Sequence, residues 1–303
     1  MMRRALFLLF VVISVLVVRD ARAGEPPAGA PRGPVVWKDE WPRFSAWEGA
    51  TTLGATAIGF VMQRKFPDPS DANFSADFPI LDPTARYLFR GRSKKIQDAF
   101  GHYSDIGFRM MAFFPYVVDA GAVALGVHHN PDVAAQMALI DIQALTLSGA
   151  TQFLASRIVA RQRPYVQDCD PVTGKTFSRD CGGTNDWKSF FSGHAAAAFT
   201  SAGLMCVHHQ HIPLWGGGAV DAWACTWAVG VATATGLFRV VADAHHASDV
   251  LVGAGVGWLY GYVMPRFMHY TKGRLDPKAR MLRFTPTFSQ IADGGMLSLS
   301  GIF

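Results

Sequence analysis

Charge is scarce in this chain of 303 residues. Only 17% are Asp, Glu, Lys or Arg while half are apolar, richer in apolar residues than an ordinary soluble enzyme. Long uncharged runs are scarce too. The apolar stretches fall short of the ~20 residues that a comfortable spanning helix needs, which argues against a bundle made wholly of membrane spans. No stripe of arginine and lysine is interleaved with aromatics, so nucleic acid is not an expected partner. There is no repeat of solenoid or propeller type. Cysteine is limited to four residues, none in finger-like pairs, so no metal site is expected from them. A net charge of +5 suits an anionic substrate or an anionic lipid surface instead, with one local basic cluster from Arg86 to Lys95.

The N-terminus has the layout of an export signal. Arg3 and Arg4 precede an apolar run from Ala5 to Val18, and Ala21-Arg22-Ala23 offers a small-x-small cleavage site. The expected organisation is a signal peptide over 1–23, a Pro/Gly-rich, loosely held arm over 24–43, a helical domain over 44–270, and a C-terminal extension over 271–303. Export to a bacterial periplasm fits a disulfide between Cys169 and Cys181, which bracket a polar loop. Cys206 and Cys225 lie in separate apolar helices and read as buried free thiols.

Hydrophobic periodicity predicts six apolar helices, near Ser45–Gln63, Asp105–Val127, Asp132–Gln162, Ser192–His209, Ala219–Phe238 and Ser248–Phe267, plus an amphipathic piece near Thr84–Phe100. The last apolar helix carries Gly253, Gly257 and Gly261 four apart. No strand precedes them, so they read as a face for close helix packing rather than a nucleotide loop. Residues 281 to 303 alternate around Gly294 and Gly295 in the manner of a β-hairpin. His208, His209 and His211, without a nearby carboxylate in sequence, read as a solvated helix end.

Three stretches carry chemistry. Arg239, His245 and Asp249 lie at a helix entry, where the carboxylate can accept from one imidazole nitrogen and leave the other nucleophilic. Arg157, Arg161 and Arg163 crowd the end of the third helix before Pro164. Ser192, Gly193 and His194 open the fourth helix, where free N–H groups suit an anion.

Taken together, these stretches resemble the signature of the type 2 phosphatidic acid phosphatase superfamily, shared with bacterial class A acid phosphatases and vanadium haloperoxidases. That signature is a lysine, six residues, Arg-Pro; Pro-Ser-Gly-His; then Ser-Arg, five residues, His, three residues, Asp. The resemblance implies an all-α six-helix bundle and a metal-independent phosphomonoesterase. His245 would be the nucleophile that becomes phosphohistidine, Asp249 its orienting group, and His194 the general acid and base. Arg163, Arg239, Ser192 and Gly193 would hold the phosphoryl oxygens. It implies no cofactor, with vanadate as inhibitor.

Three positions depart from the pattern: Ser156 stands for the lysine, Phe191 for the proline and Phe238 for the serine. Arg157 and Arg161 are the candidates to replace the lysine. A lipid phosphate, a polyprenyl diphosphate or a small organic phosphate is the expected substrate. A vanadium-dependent haloperoxidase and an inactive structural or lipid-binding relative are the alternatives. Glu48, Arg109, Asp119, Asp141 and Asp221 are costly at mid-bilayer, which favours a periplasmic, membrane-peripheral bundle over an integral inner-membrane protein.

Overall fold

A computed structural model describes residues 33–65, 68–69, 78–170, 181–271, 284–291 and 294–301. The expected signal peptide lies outside the described residues. The fold is helical. Helix α1 spans Ala46–Lys65, α2 Leu81–Phe89 and α3 Lys94–Phe113, continuing as a π-helix over Phe114–Val127. Helix α4 spans Pro131–Val159, and a 3-10 turn covers Pro164–Asp168. Helix α5 spans Gly193–His211, α6 Ala219–Val241 and α7 Ala247–Trp258. The last widens to a π-helix over Leu259–Val263 and ends as α8, Met264–His269. Strands β1 (Phe284–Ile291) and β2 (Gly294–Gly301) pair antiparallel, with Phe284 opposite Gly301.

Local chemistry sets the ends. Ser93 accepts from the Ile96 amide to start α3, and Asn130 accepts from Val133 with Pro131 in the first turn of α4. Ala160 adopts φ 45°, which stops α4 before the arginine stretch. The amphipathic piece is not one helix. Gly91 lets the chain turn between α2 and α3, since a Cβ there would meet Ile96 at 2.7 Å and the Val241 carbonyl at 3.1 Å. Helix α3 accordingly begins at Lys94 rather than near Asp105.

Helix α5 is the axis of the bundle, packed against α3, α4, α6 and α7. Its small residues let neighbours approach closely. A Cβ on Gly257 would stand 2.3 Å from the Ala196 carbonyl oxygen, and one on Gly261 1.9 Å from that of Thr200. The glycine face expected from sequence is therefore a helix-packing face. Leu204, Met205, Ile140 and Met137 fill the centre, each fully buried and worth ~1.5–3 kcal/mol of transfer free energy.

Three expectations about packing need correction. The described part of the arm is not loose: Val35, Trp37 and Trp41 are buried, and the Trp37 ring lies 5.5 Å from Trp41 and 5.4 Å from Tyr270. Cys206 and Cys225 are bonded to each other, because α5 and α6 pack tightly enough to bring their Cα atoms to 4.3 Å; Cys169 and Cys181 are bonded as well. His208 and His209 are fully buried rather than solvated. His208 bridges Asp141 (2.8 Å) and the Tyr270 hydroxyl (2.6 Å), and His209 lies 2.5 Å from Asp221 and 3.4 Å from Asp119. The helix carboxylates thus face inward and find imidazole partners from distant chain.

The outer faces are correspondingly apolar: Leu53, Ile106, Phe113, Leu139 and Trp223 are all exposed. Among the described residues, three segments, Lys94–Val127, Pro131–Val159 and Ala219–Val241, are long and apolar enough by length and composition to cross a membrane, which corrects the expectation that the apolar stretches fall short of a span. That pattern is compatible with membrane association.

Candidate active site

His245 leaves α6 through a tight turn that starts at Ala242 and passes Asp243 at φ 56°. Its Nδ1 is 2.7 Å from the Ser189 carbonyl oxygen. A carbonyl can only accept, so Nδ1 carries the proton and Nε2 carries the lone pair. Burial, followed by the positive field of Arg163, Arg239 and His194, holds His245 well below the usual histidine pKa. The imidazole is therefore neutral at physiological pH.

Asp249 does not orient the ring directly. It lies 4.0 Å from His245 Nδ1 and spends its oxygens elsewhere. It accepts from Arg161 at 2.6 Å, from the Ser189 hydroxyl at 2.5 Å and from the His246 amide at 3.1 Å. Its effect on His245 passes through Ser189, whose carbonyl it positions.

Arg161 is fully engaged within the fold. One guanidinium nitrogen serves Asp249 and the Ser248 hydroxyl, and the other serves Asp82 at 2.7 Å. Asp82 closes the set by accepting from the Ser248 amide at 2.8 Å. Burial alone would raise the Asp82 carboxyl, but the Ser248 and Phe78 amides and Arg161 hold it below the usual range. Arg161 thus acts as a buried strut. Arg157 pairs with Asp68 at 2.9 Å and lies over the Phe153 ring. Neither arginine is set as a substitute for the motif lysine. Ser156 is buried and bonds back to the Phe153 carbonyl. Lys188, which the sequence did not single out, pairs with Asp68 at 2.6 Å.

Arg163, Arg239 and His194 lie around His245. Arg163 donates to the carbonyls of Asn185 (2.8 Å) and Ala244 (3.0 Å), the latter just before His245. Arg239 reaches Asp105 at 3.4 Å, and His194 Nε2 lies 2.8 Å from the same carboxylate oxygen. Asp105 is the residue that sequence reading missed: a helix starting there would make it a cap, whereas it sits mid-helix in α3 facing the site. His194 is pulled down to about 4 by burial and by Arg239, against the opposing bond to Asp105. Ser192 is fully buried, and its hydroxyl accepts from the Ala195 amide as helix cap, so its expected phosphoryl contact is not open here. Gly193 and His194 are half-buried at the first turn of α5. Phe238 fills its position by packing against Phe100 at 5.0 Å. Among the described residues, no group of three His, Cys, Asp or Glu side chains is arranged to hold a metal.

Residues 138–272 match the model of the PAP2 superfamily. That segment, a little under half of the chain, is similar to the superfamily. Its members are generally phosphatases, and the matched segment contains Arg163, His194, Arg239, His245 and Asp249. The PAP2 match begins inside α4, so Asp82 on α2 and Asp105 on α3 lie outside it. No curated protein and no solved structure matches the chain.

Beside His194 opens a cleft of about 440 Å³ between α3, α4 and α5. Phe108, Ala112, Tyr116 and Leu145 line one part, and Gly149, Gln152 and Gly193 another. It is the largely apolar neighbour of the centre that holds Arg163, Arg239 and Asp105.

Proposed function

We propose that the protein is a metal-independent phosphomonoesterase of the cell envelope working through a phosphohistidine. The observation that carries this reading is the neutral His245, its Nδ1 tied to the Ser189 carbonyl and its Nε2 left with the lone pair beside Arg163, Arg239 and His194. Nε2 attacks phosphorus and the bond to the leaving oxygen breaks. His194, anchored through Nε2 to Asp105, gives the departing alkoxide a proton from Nδ1. The same nitrogen then accepts a proton from water, the hydroxide attacks phosphorus, and the N–P bond breaks to return phosphate and neutral His245. Negative charge builds on the non-bridging oxygens in both steps. Arg163, Arg239 and the N-terminal amides of α5 supply the fixed positive field that it requires.

The cleft next to His194 lies on the leaving-group side. Its aromatic and aliphatic lining favours an ester of an apolar alcohol, such as a lipid phosphate or polyprenyl diphosphate, over a small polar ester. Two disulfides and a signal-like N-terminus support an exported, oxidising setting, with the catalytic end facing the periplasm at the membrane.

The test is hydrolysis of an aryl phosphate by the purified chain. Turnover should persist with chelator, stop with vanadate, and be lost in His245→Ala. Full turnover in that variant would remove the mechanism, and loss with chelator would remove its metal independence.

A further inference from the structure

Helix α2 and the basic cluster that follows it are not consumed by the chemistry, yet they are fixed firmly to the catalytic platform. The inner face is pinned by Asp82 to Arg161 and Ser248, and by Arg86 to Asp243 at 2.8 Å. Arg90 joins the same cluster through Asp243 and Asp168. Two guanidiniums and two carboxylates cancel there, which accounts for part of the basic run without any partner.

The outer face has a different composition. Phe78, Ile80 and Tyr87 are 61%, 82% and 67% exposed. Ile80 takes φ 70°, a left-handed conformation that a β-branched residue disfavours, and Phe78 donates its amide to Asp82 to hold that turn. An apolar side chain is thereby held outward. Next to it lies a hollow of about 510 Å³ lined by Arg86, Tyr87, Arg90, Arg92 and Gln167 among others, and it shares no residue with the cleft at His194. Arg92, which lines the hollow, is exposed and gives it positive charge; Lys95 in the first turn of α3 is exposed as well, while Lys94 pairs with Asp98. Exposed apolar side chains then continue along α3 through Ile96, Tyr103, Ile106, Met110 and Phe113.

Aromatic, basic and long apolar surface in that order is what a lipid headgroup region above hydrocarbon selects. We infer that the outer face of α2, with the Arg86–Arg92 hollow and the adjoining face of α3, binds an anionic phospholipid, headgroup in the hollow and chains along α3. The site is separate from the catalytic pocket and holds that pocket at headgroup depth. Charge complementarity favours an anionic lipid over a zwitterionic one, and the apolar continuation along α3 favours a lipid over a free anion.

The experiment uses the full chain in neutral detergent, titrated with dioctanoyl phosphatidylglycerol, dioctanoyl phosphatidylcholine or inorganic phosphate, with and without vanadate. Binding is read by microscale thermophoresis and does not depend on turnover. Phosphatidylglycerol should bind at least tenfold tighter than phosphatidylcholine, weaken with added salt, and be indifferent to vanadate. The double variant R92E/K95E should lose tenfold or more in that affinity and Tyr87→Ala should also weaken it, both melting like the parent. Equal affinity for the two lipids, or unchanged affinity in R92E/K95E, would overturn the inference. Displacement by vanadate would assign the lipid to the catalytic pocket, and equal competition by inorganic phosphate would reduce the site to a free-anion site; either result also rejects it.

Discussion

The Ser189 carbonyl oxygen stands 2.7 Å from His245 Nδ1, while Asp249, the carboxylate four residues along the same turn, stands 4.0 Å from it. The His245 ring is held by a backbone atom, and the carboxylate works one step back, through the Ser189 hydroxyl and Arg161.

That arrangement separates two substitutions. Ser189→Ala keeps the carbonyl and the tautomer of His245 but removes a charge-assisted bond, so it should cost about 1.5–3 kcal/mol of stability with kcat within about tenfold of the parent. Asp249→Ala strands Arg161 in the interior with Asp82 as its remaining carboxylate. Breaking such a buried pair costs about 3–5 kcal/mol, so thermal stability and turnover should fall together. Denaturant melts beside steady-state kinetics distinguish the two; a stable, inactive Asp249→Ala would restore direct orientation by the carboxylate.

Activity should rise toward acid pH. His245 must be neutral to attack, and its pKa lies well below the usual value, so the nucleophile remains available into the acid range. His194 must hold a proton for the leaving group, and with a pKa of about 4 in the free protein it loses that proton as pH rises. For an alkyl phosphate, whose leaving group needs protonation, kcat/KM should decline with pH above that value. The decline in kcat should sit at higher pH, because a bound phosphoryl anion favours the imidazolium. An aryl phosphate with a good leaving group should show a shallower profile. Identical profiles for the two esters would exclude His194 as the acid.

Stability follows the opposite direction. His194, His211 and His245 all have folded pKa values below the unfolded value near 6.5, two of them at about 4. The unfolded chain binds more protons between those limits, so stability present above pH 6.5 is lost as pH falls toward 4. The Tm should drop over that window, and vanadate should recover more of it at pH 5 than at pH 7. His209, which burial alone would lower but Asp119 and Asp221 hold above the usual value, works the other way, so the drop should deepen in His209→Gln; a Tm that rose on acidification in that variant would contradict the burial of neutral imidazoles.

Much of this was legible in the sequence. Gly253, Gly257 and Gly261 announced a packing face because only a side chain of one hydrogen fits a backbone contact repeated every turn. The order of Arg163, His194, Arg239 and His245 announced the pocket, since helix ends were marked by Pro164 and Ser192. The partners that complete the pocket were hidden. Asp105 was hidden by a misplaced helix start, and Asp82 and Ser189 by long separations from the groups they touch. The bond between Cys206 and Cys225, and the carboxylates around His208 and His209, depend on which helices become neighbours, and spacing along one chain does not encode that.

Two structural predictions come from those contacts. Gly261→Ala would force a methyl to within 1.9 Å of the Thr200 carbonyl position, and the resulting overpacking should cost about 1–3 kcal/mol, seen as a lowered denaturation midpoint. An unchanged midpoint would show that α5 and the π-helix after α7 are not in backbone contact.

Reduction of the second disulfide has a comparable effect. Cys206 and Cys225 close a loop of sequence separation 19, so the double serine variant should lose ~3 kcal/mol relative to the parent. Free thiols detected at both positions in the unreduced protein would contradict the pairing.

The most direct measurement is rapid acid-free quench of turnover, followed by mass spectrometry of peptides from the parent and from His194→Gln, in which release of the phosphoryl group should be slowed. The expected result is a phosphoryl group on His245, accumulating in His194→Gln and missing from His245→Ala. Turnover without phosphorylation of His245, or a phosphoryl group carried by another residue, would contradict nucleophilic catalysis by that imidazole.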